Sequence, residues 1–398
     1  MTDWASYRRR FSVLSDYCHL ISNSLGATPD RAQELALQYV QDWGRRGVRA
    51  WEESWWDLSR VVGDKIGALM GADPDSVSMH LNVTGAEASV LSCFDLAGPR
   101  NKVVVVEMEF PSILYLYREW LQGRGRLEVI PCPDGITVPT ERLLAAIDET
   151  TLLVPISHVL FRSSYIVDAE TIIRRAHEVG ALVVLDVFQS LGTIPVDVRK
   201  LDADFAVGGC LKWLCGGPGA GFLYVRPDLQ PTLSPRLTGW LAHREPFAFD
   251  TGPLRRAEGS YSFMNGTPNI PALYICQAGL DIVTEVGIQA IRARSLELNA
   301  RLLQAAAVRG WQTATPSEPR RRAGSVALDL PDAEKIAGLL NARNFLVDYR
   351  PGAGIRIAPH FYNTRDEIDR VVAEIERIQT EEIPHAGEAL RGSRDRPS

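Results

Sequence analysis

The chain has 398 residues, 45% hydrophobic and 23% charged, with a formal net charge of −6. This is a globular composition, long enough for two or three domains around a large core. It has no basic stripe of the kind a nucleic-acid partner demands, and no run near the roughly 18 apolar residues of a membrane span.

Residues 29 to 43 (PDRAQELALQYVQDW) carry a 3.6-residue apolar period, with Pro29 suited to a first helical position. A second helix is expected over 55–70. Short β-rich runs then alternate with helical stretches: Ser76–Leu81, Lys102–Val106, Leu127–Pro131, Leu152–Ile156, Leu182–Leu185, Phe205–Val207 and Gly221–Val225. Runs such as VVVV and LVVL are apolar on both faces, which predicts an α/β fold with a mainly parallel sheet covered on both sides. After Pro227 a Pro-, Arg- and Gly-rich connection leads to Gly266. Helices follow at 271–285 and 288–308, strands near 325–330, 345–348 and 355–357, and a last helix at 365–379. The expected division is an N-terminal segment (1–45) packed on the small domain, a large domain (46–265), a small α+β domain (266–383) and a mobile polar tail (384–398).

Six cysteines (Cys18, Cys93, Cys132, Cys210, Cys215, Cys276) show no metal-binding spacing and sit in mostly apolar surroundings. Reduced, buried thiols in a cytoplasmic protein are expected. The N-terminal MTDWASYRRRF has no signal-peptide apolar run.

Only five of the 43 basic residues are lysines. One of them, Lys212, falls between the apolar run at Phe205 and the turn Gly216-Gly217-Pro218-Gly219. Desolvation there lowers a lysine's pKa and favours Schiff-base chemistry. One crossover upstream, Asp186 ends the run Val183-Val184-Leu185, where α/β sheets hold ligands. A lysine that forms an imine and an aspartate that keeps a pyridine nitrogen protonated are the pair pyridoxal 5′-phosphate (PLP) requires. Thr84 and Gly85, on a strand-to-helix turn, could cradle its phosphate, and Phe110 could stack on its ring.

With these residues in view, the chain resembles the class V aminotransferase family of fold-type I PLP enzymes, and within it looks most like kynureninase. The matching stretches are Asn23-Ser24-Leu25-Gly26, Phe110-Pro111-Ser112, Ser157-His158-Val159, Asp186 through Gly219, Leu237-Thr238-Gly239-Trp240, Gly266-Thr267-Pro268, and Arg356-Ile357-Ala358-Pro359 with Tyr362-Asn363. The resemblance implies a seven-stranded large domain and a homodimer with shared active sites. Lys212 is implied as the cofactor lysine, Asp186 as the pyridine partner and Phe110 as the stacking ring. Thr84, the amide of Gly85, and Trp240 and Thr267 from a second subunit are implied to hold the phosphate. Arg356 would grip the α-carboxylate of an amino-acid substrate, with Asn23 and Ser24 beside it.

The pattern departs from kynureninase at two positions. Gln189 replaces a histidine and matches the desulfurase branch, where the glutamine bonds the ring hydroxyl. Leu211 replaces a tyrosine that contacts the phosphate and takes part in proton transfer. Phe161-Arg162-Ser163-Ser164 also differs from the family segment. The nucleophilic C-terminal cysteine of a desulfurase has no counterpart, because no cysteine follows Cys276. Arg45, Arg46, Arg49, Trp51, Trp55 and Trp56 either line a pocket for a bulky or anionic side chain or anchor a helix. Cys210 and Cys215 either tune Lys212 or pack beside it. The expected reaction is loss of a β-substituent, for example cleavage of a cysteine conjugate's C–S bond. Transamination, kynureninase-type hydrolysis and epimerisation are the alternatives, and a non-catalytic PLP-fold binding protein is the reading from another class.

Overall fold

The computed structural model describes residues 2–383; the tail expected from 384 lies outside the described residues. Among the described residues, thirteen strands form three sheets. β1 (Cys18–His19) pairs with β11 (Phe345–Leu346). The large sheet contains β2 (Val77–His80), β3 (Lys102–Val106), β4 (Arg126–Ile130), β5 (Thr151–Ser157), β6 (Leu182–Asp186), β7 (Phe205–Gly209) and β8 (Gly221–Val225). A smaller sheet contains β9 (Gln312–Thr313), β10 (Val326–Asp329), β12 (Asp348–Arg350) and β13 (Gly354–Ile357).

The large sheet has the order β2-β8-β7-β6-β5-β3-β4, with only β8 running against the rest. Its apolar runs divide by alternation between two covers. Val104 and Val106 join one buried cluster with Ile172 and Leu280, while Val103 and Val105 join another with Val90 and Tyr117. Both faces are therefore packed, as runs without polar alternation require. The parallel strands β3, β4, β5, β6 and β7 bring their C-terminal ends to one edge, and β2, pointing the same way, adds a sixth.

The smaller sheet is antiparallel, in the order β12-β13-β10-β9. Leu298 and Leu302, Ile336 and Leu340, and Ile368 and Val372, from three helices, share its core. The last of these helices, Arg365–Glu381, opens with a Thr364–Glu367 capping box.

Three local expectations change. The helix expected over 55–70 divides into a π-type turn, Trp51–Trp55, and a helix, Leu58–Leu69, because Trp55 is drawn into a pocket against Tyr39 and Tyr274. Pro29 caps helix Asp30–Arg46 in extended conformation instead of opening it. The strand expected at 345–348 splits between two sheets, with β11 serving the N-terminal segment and β12 the small sheet.

Packing also distributes the ends of the chain differently. Helix Ile270–Val286 places Leu273, Cys276, Leu280 and Val283 in the large core, and helix Asp30–Arg46 rests on it through Ala32, Leu35 and Ala278. Residues 18–21, in contrast, run along the small unit: β1 pairs parallel with β11, and Ile21 bridges to Ala358. The chain then crosses to the large sheet, where the Gly26 amide donates to the Leu211 carbonyl at 2.8 Å. A Cβ on Gly26 would lie 2.2 Å from the Lys212 carbonyl oxygen, so only glycine fits this crossing.

Candidate active site

The C-terminal edge of the large sheet opens into a cavity of about 310 Å³. Asn23, Ser24, Thr84, Phe110, Asp186, Gln189, Lys212 and Arg356 all line it, so eight of the expected site residues converge from six chain segments. Gly85, Trp240 and Thr267 do not line it.

Lys212 follows β7 at the sheet edge. Its Nζ sits 3.9 Å from the centroid of the Phe188 ring and 5.7 Å from that of Phe110. No described side chain or carbonyl hydrogen-bonds this nitrogen. Burial lowers its pKa to about 8, with Asp186 opposing and the Arg356 and Arg350 cations adding to the shift.

Asp186 ends β6. One carboxylate oxygen accepts the Phe188 amide at 2.8 Å, and no described group donates to the other. Burial raises its pKa, while the Phe188 amide and Lys212 act against the rise.

Gln189 is held on both sides. Its Oε1 accepts the Trp213 indole N–H at 3.0 Å, and its Nε2 donates to the Asn23 carbonyl at 2.9 Å. These partners fix the amide so that one N–H remains for the cavity. The Asn23 side chain is buried, and neither its oxygen nor its nitrogen has a protein partner. An orphaned amide facing a cavity has an unmet need for a ligand.

Helix Val83–Leu91 begins at the end of β2, where Asn82 Oδ1 accepts the Gly85 amide at 2.9 Å. The Gly85 amide, expected at the phosphate, serves the Asn82 cap in this structure. The first-turn amides of Val83 and Thr84 are the free donors at this helix end.

Arg356, in the middle of β13, is almost fully buried. Asp348, Ser24 at the cavity wall, and the Phe161 carbonyl accept its N–H groups. Ser24 donates to Asp348 at 2.6 Å and so belongs to this support.

Trp240 and Thr267 lie on the surface, with Trp240 packed among Trp56, Phe247 and Phe249. Arg45, Arg46, Arg49, Trp51, Trp55 and Trp56 lie outside the cavity lining. Trp55 stacks on Tyr39 and bonds the Tyr274 hydroxyl, with Trp51 edge-on to it, so these tryptophans anchor a turn. Cys210 and Cys215 are buried, and burial pushes the Cys215 thiol up to about 12. Both pack and neither is poised as a nucleophile.

The sequence reading did not single out Phe188, Asp348 or Arg350. Phe188 sits between Asp186 and Gln189, inside a stretch already singled out. Asp348 and Arg350 share one face of a strand by simple alternation, a signal present in Asp348-Tyr349-Arg350.

The chain belongs to the aminotransferase class-V family, whose model matches residues 44–371. It is 30% identical over 374 residues to an uncharacterized aminotransferase, YcbU, of Bacillus subtilis (strain 168), covering 93% of this chain and 96% of that one. Kynureninase of Pseudomonas fluorescens is 29% identical over 361 residues, with 87% and 85% covered. Among solved structures, a cysteine desulfurase from Thermococcus onnurineus NA1 superposes with a TM-score of 0.85 at 21% identity, covering 95% and 98% of the two chains. The cystine C–S lyase C-DES, in complex with cysteine persulfide, gives 0.82 at 19% identity, with 92% and 98% covered. The fold is thus the fold-type I α/β architecture, and the chain is an enzyme of a family that works with PLP. The cavity suits that group: a desolvated lysine, a buried carboxylate with one free oxygen, an aromatic face and a helix N-terminus converge there.

Proposed function

We propose that this enzyme is a PLP-dependent lyase that removes the β-substituent of an amino acid, such as the thiol of a cysteine conjugate. One observation carries the reading: the cavity lining contains Lys212 but no His, Cys, Tyr or Glu among the described residues. A persulfide route needs a cysteine at the site. Kynureninase-type hydrolysis uses the tyrosine whose place Leu211 takes. Elimination of a good leaving group needs one base at Cα, and a lysine with a pKa near 8 meets that need.

When bound, PLP supplies the electron sink that makes the Cα–H bond acidic. Lys212 would hold it, and its amine, with a pKa near 8, would serve as the base that takes the Cα proton. Asp186 would accept a hydrogen bond from the protonated pyridine nitrogen through the oxygen that no described group uses. Phe110 would offer an aromatic face to the ring, Gln189 its remaining N–H, and Thr84 with the Val83 amide the donors for the phosphate. Arg356 draws in the substrate carboxylate, and Asn23 lines the same end. From a cysteine S-conjugate and water the products are a thiol, pyruvate and ammonium.

The reading includes a cytoplasmic homodimer. Trp240 and Thr267 are exposed and lie away from their own cavity, which supports their completing the phosphate site of a second copy. The six unpaired cysteines support a reducing compartment. Helix Ile270–Val286 belongs to the large unit by its packing, so the limit between the two units falls within helix Ile288–Val308, where Ile291 joins the large core and Leu298 the small one.

The test is the absorption spectrum of the purified protein, followed by assay of keto acid and free thiol with a panel of cysteine S-conjugates. A visible band reducible by borohydride and lost in Lys212→Ala, with pyruvate and thiol released in equal amounts, is expected. A band without release from any conjugate would overturn the lyase reading. A long-lived aminated cofactor would replace it with transamination.

A further inference from the structure

Arginine has five N–H groups, and four of those of Arg356 are taken within the protein. Nε donates to Asp348 Oδ1 at 2.8 Å, Nη1 to the Phe161 carbonyl at 2.6 Å, and Nη2 to both Asp348 Oδ2 and, at 3.0 Å, Ser24 Oγ. A carboxylate reaching Arg356 finds one free N–H. The parallel pair of a fork-to-fork grip is not open.

A second guanidinium stands beside it. Asp348 is directly opposite Arg356 in the β12–β13 register, and Arg350, two residues along β12, shares the Asp348 face. Arg350 Nη2 lies 3.1 Å from Asp348 Oδ2, and Nη1 donates to the Tyr349 carbonyl at 3.0 Å. Its side chain is 44% exposed and lines the same cavity. Three of its N–H groups have no protein acceptor. Two guanidiniums against one carboxylate leave this corner with one net positive charge, which a single carboxylate neutralises. Asp348 has no capacity to spare: Oδ1 takes Arg356, and Oδ2 takes Arg356, Ser24 and Arg350.

We propose that Arg350 is the second arm of the substrate-carboxylate subsite, the carboxylate bridging Arg350 and the last free N–H of Arg356. Asp348 is then a positioning residue that holds the two arginines at a fixed separation. Desolvation of the pair is partial, so the more exposed Arg350 also admits the substrate from solvent. This inference rests on the reading of the cavity as an amino-acid site.

The test titrates the PLP-loaded protein with twenty L-amino acids, following the visible band. The tightest binder is then compared with its own α-carboxamide. Hydrogen bonds to charged groups are each worth about 1.5–3 kcal/mol, so Arg350→Gln should weaken binding of the acid by at least about tenfold. The carboxamide should bind the variant within about twofold of wild type, and Arg350→Lys should recover part of the loss. Unchanged affinity of Arg350→Gln for the acid would overturn the proposal, as would equal weakening of acid and amide. A wild-type protein with no reducible band would overturn the amino-acid reading and the pairing with it, whereas a band with unchanged acid affinity overturns the pairing alone.

Discussion

A lysine ammonium placed against two phenylalanine rings and without a hydrogen-bond partner is held in its costlier protonation state at neutral pH. Lys212 titrates near 10.5 in an unfolded chain and at about 8 in the fold. Between those values the unfolded state binds more protons, so stability rises with pH across the window. Below pH 8 the cost is constant. Lys212→Met should therefore stabilise the cofactor-free protein at pH 7 by on the order of 2 kcal/mol. That advantage should shrink as pH climbs from about 8 toward 10.5. Urea unfolding at pH 7, 9 and 10 measures it, and an advantage that ignored pH would assign the strain to packing instead. The same desolvation suits Lys212 to act as a nucleophile and base, so instability and reactivity have one origin.

Among the secondary-structure elements, β8 has a role its sequence does not announce. It is the one strand running against the large sheet, and a Cβ on Gly221, at its start, would lie 2.7 Å from backbone atoms of Asn82. Asn82 caps the helix whose first turn offers free amides to the cavity. Gly221→Ala should thus cost about 1–3 kcal/mol by overpacking and, by displacing the cap, should lower PLP affinity as well. Denaturant midpoints and a PLP-release titration read the two effects; stability loss with intact affinity would separate the strand from the cradle. All seven large-sheet strands were legible as short β-rich runs, and the central ones, such as those at 103–106 and 183–185, most plainly because they are apolar on both faces. Lys212, Asp186 and Phe110 were legible because each ends or follows such a run. Less legible were facts of register and capping. That the Gly85 amide is spent on Asn82, or that Asp348 faces Arg356, depends on which residues end up opposite one another, and local sequence does not encode that. The π-type turn at Trp51–Trp55 escaped for a similar reason, since its cause is a distant pocket formed by Tyr39 and Tyr274.

At the scale of the molecule, the surface is not uniformly polar. Trp240, Phe247 and Phe249 are exposed together, and helix Asp30–Arg46 presents Leu37, Val40 and Trp43 to solvent. Exposed apolar groups in such patches mark interaction faces. Sedimentation should give twice the chain mass, and Trp240→Ala should raise the PLP dissociation constant several-fold while leaving the spectrum of the bound cofactor unchanged. A monomer that binds PLP with wild-type affinity would refute the shared-site arrangement.

The N-terminal crossing has a consequence for how the enzyme comes into being. Residues 18–26 pair with β11, bridge to Ala358, receive a hydrogen bond from the Asn363 side chain and support the loop that carries Lys212. Residues 18–21 therefore find neighbours that are made more than 300 residues later. The Asn23 carbonyl and the Gly26 amide meet Gln189 and Leu211 much earlier in the chain, so the two halves of the crossing close separately. Contacts of such long sequence separation are slow to close and leave intermediates exposed. The substrate corner, where Ser24 meets Asp348 and Arg356, thus completes after the contacts that Asn23 and Gly26 make beside Lys212.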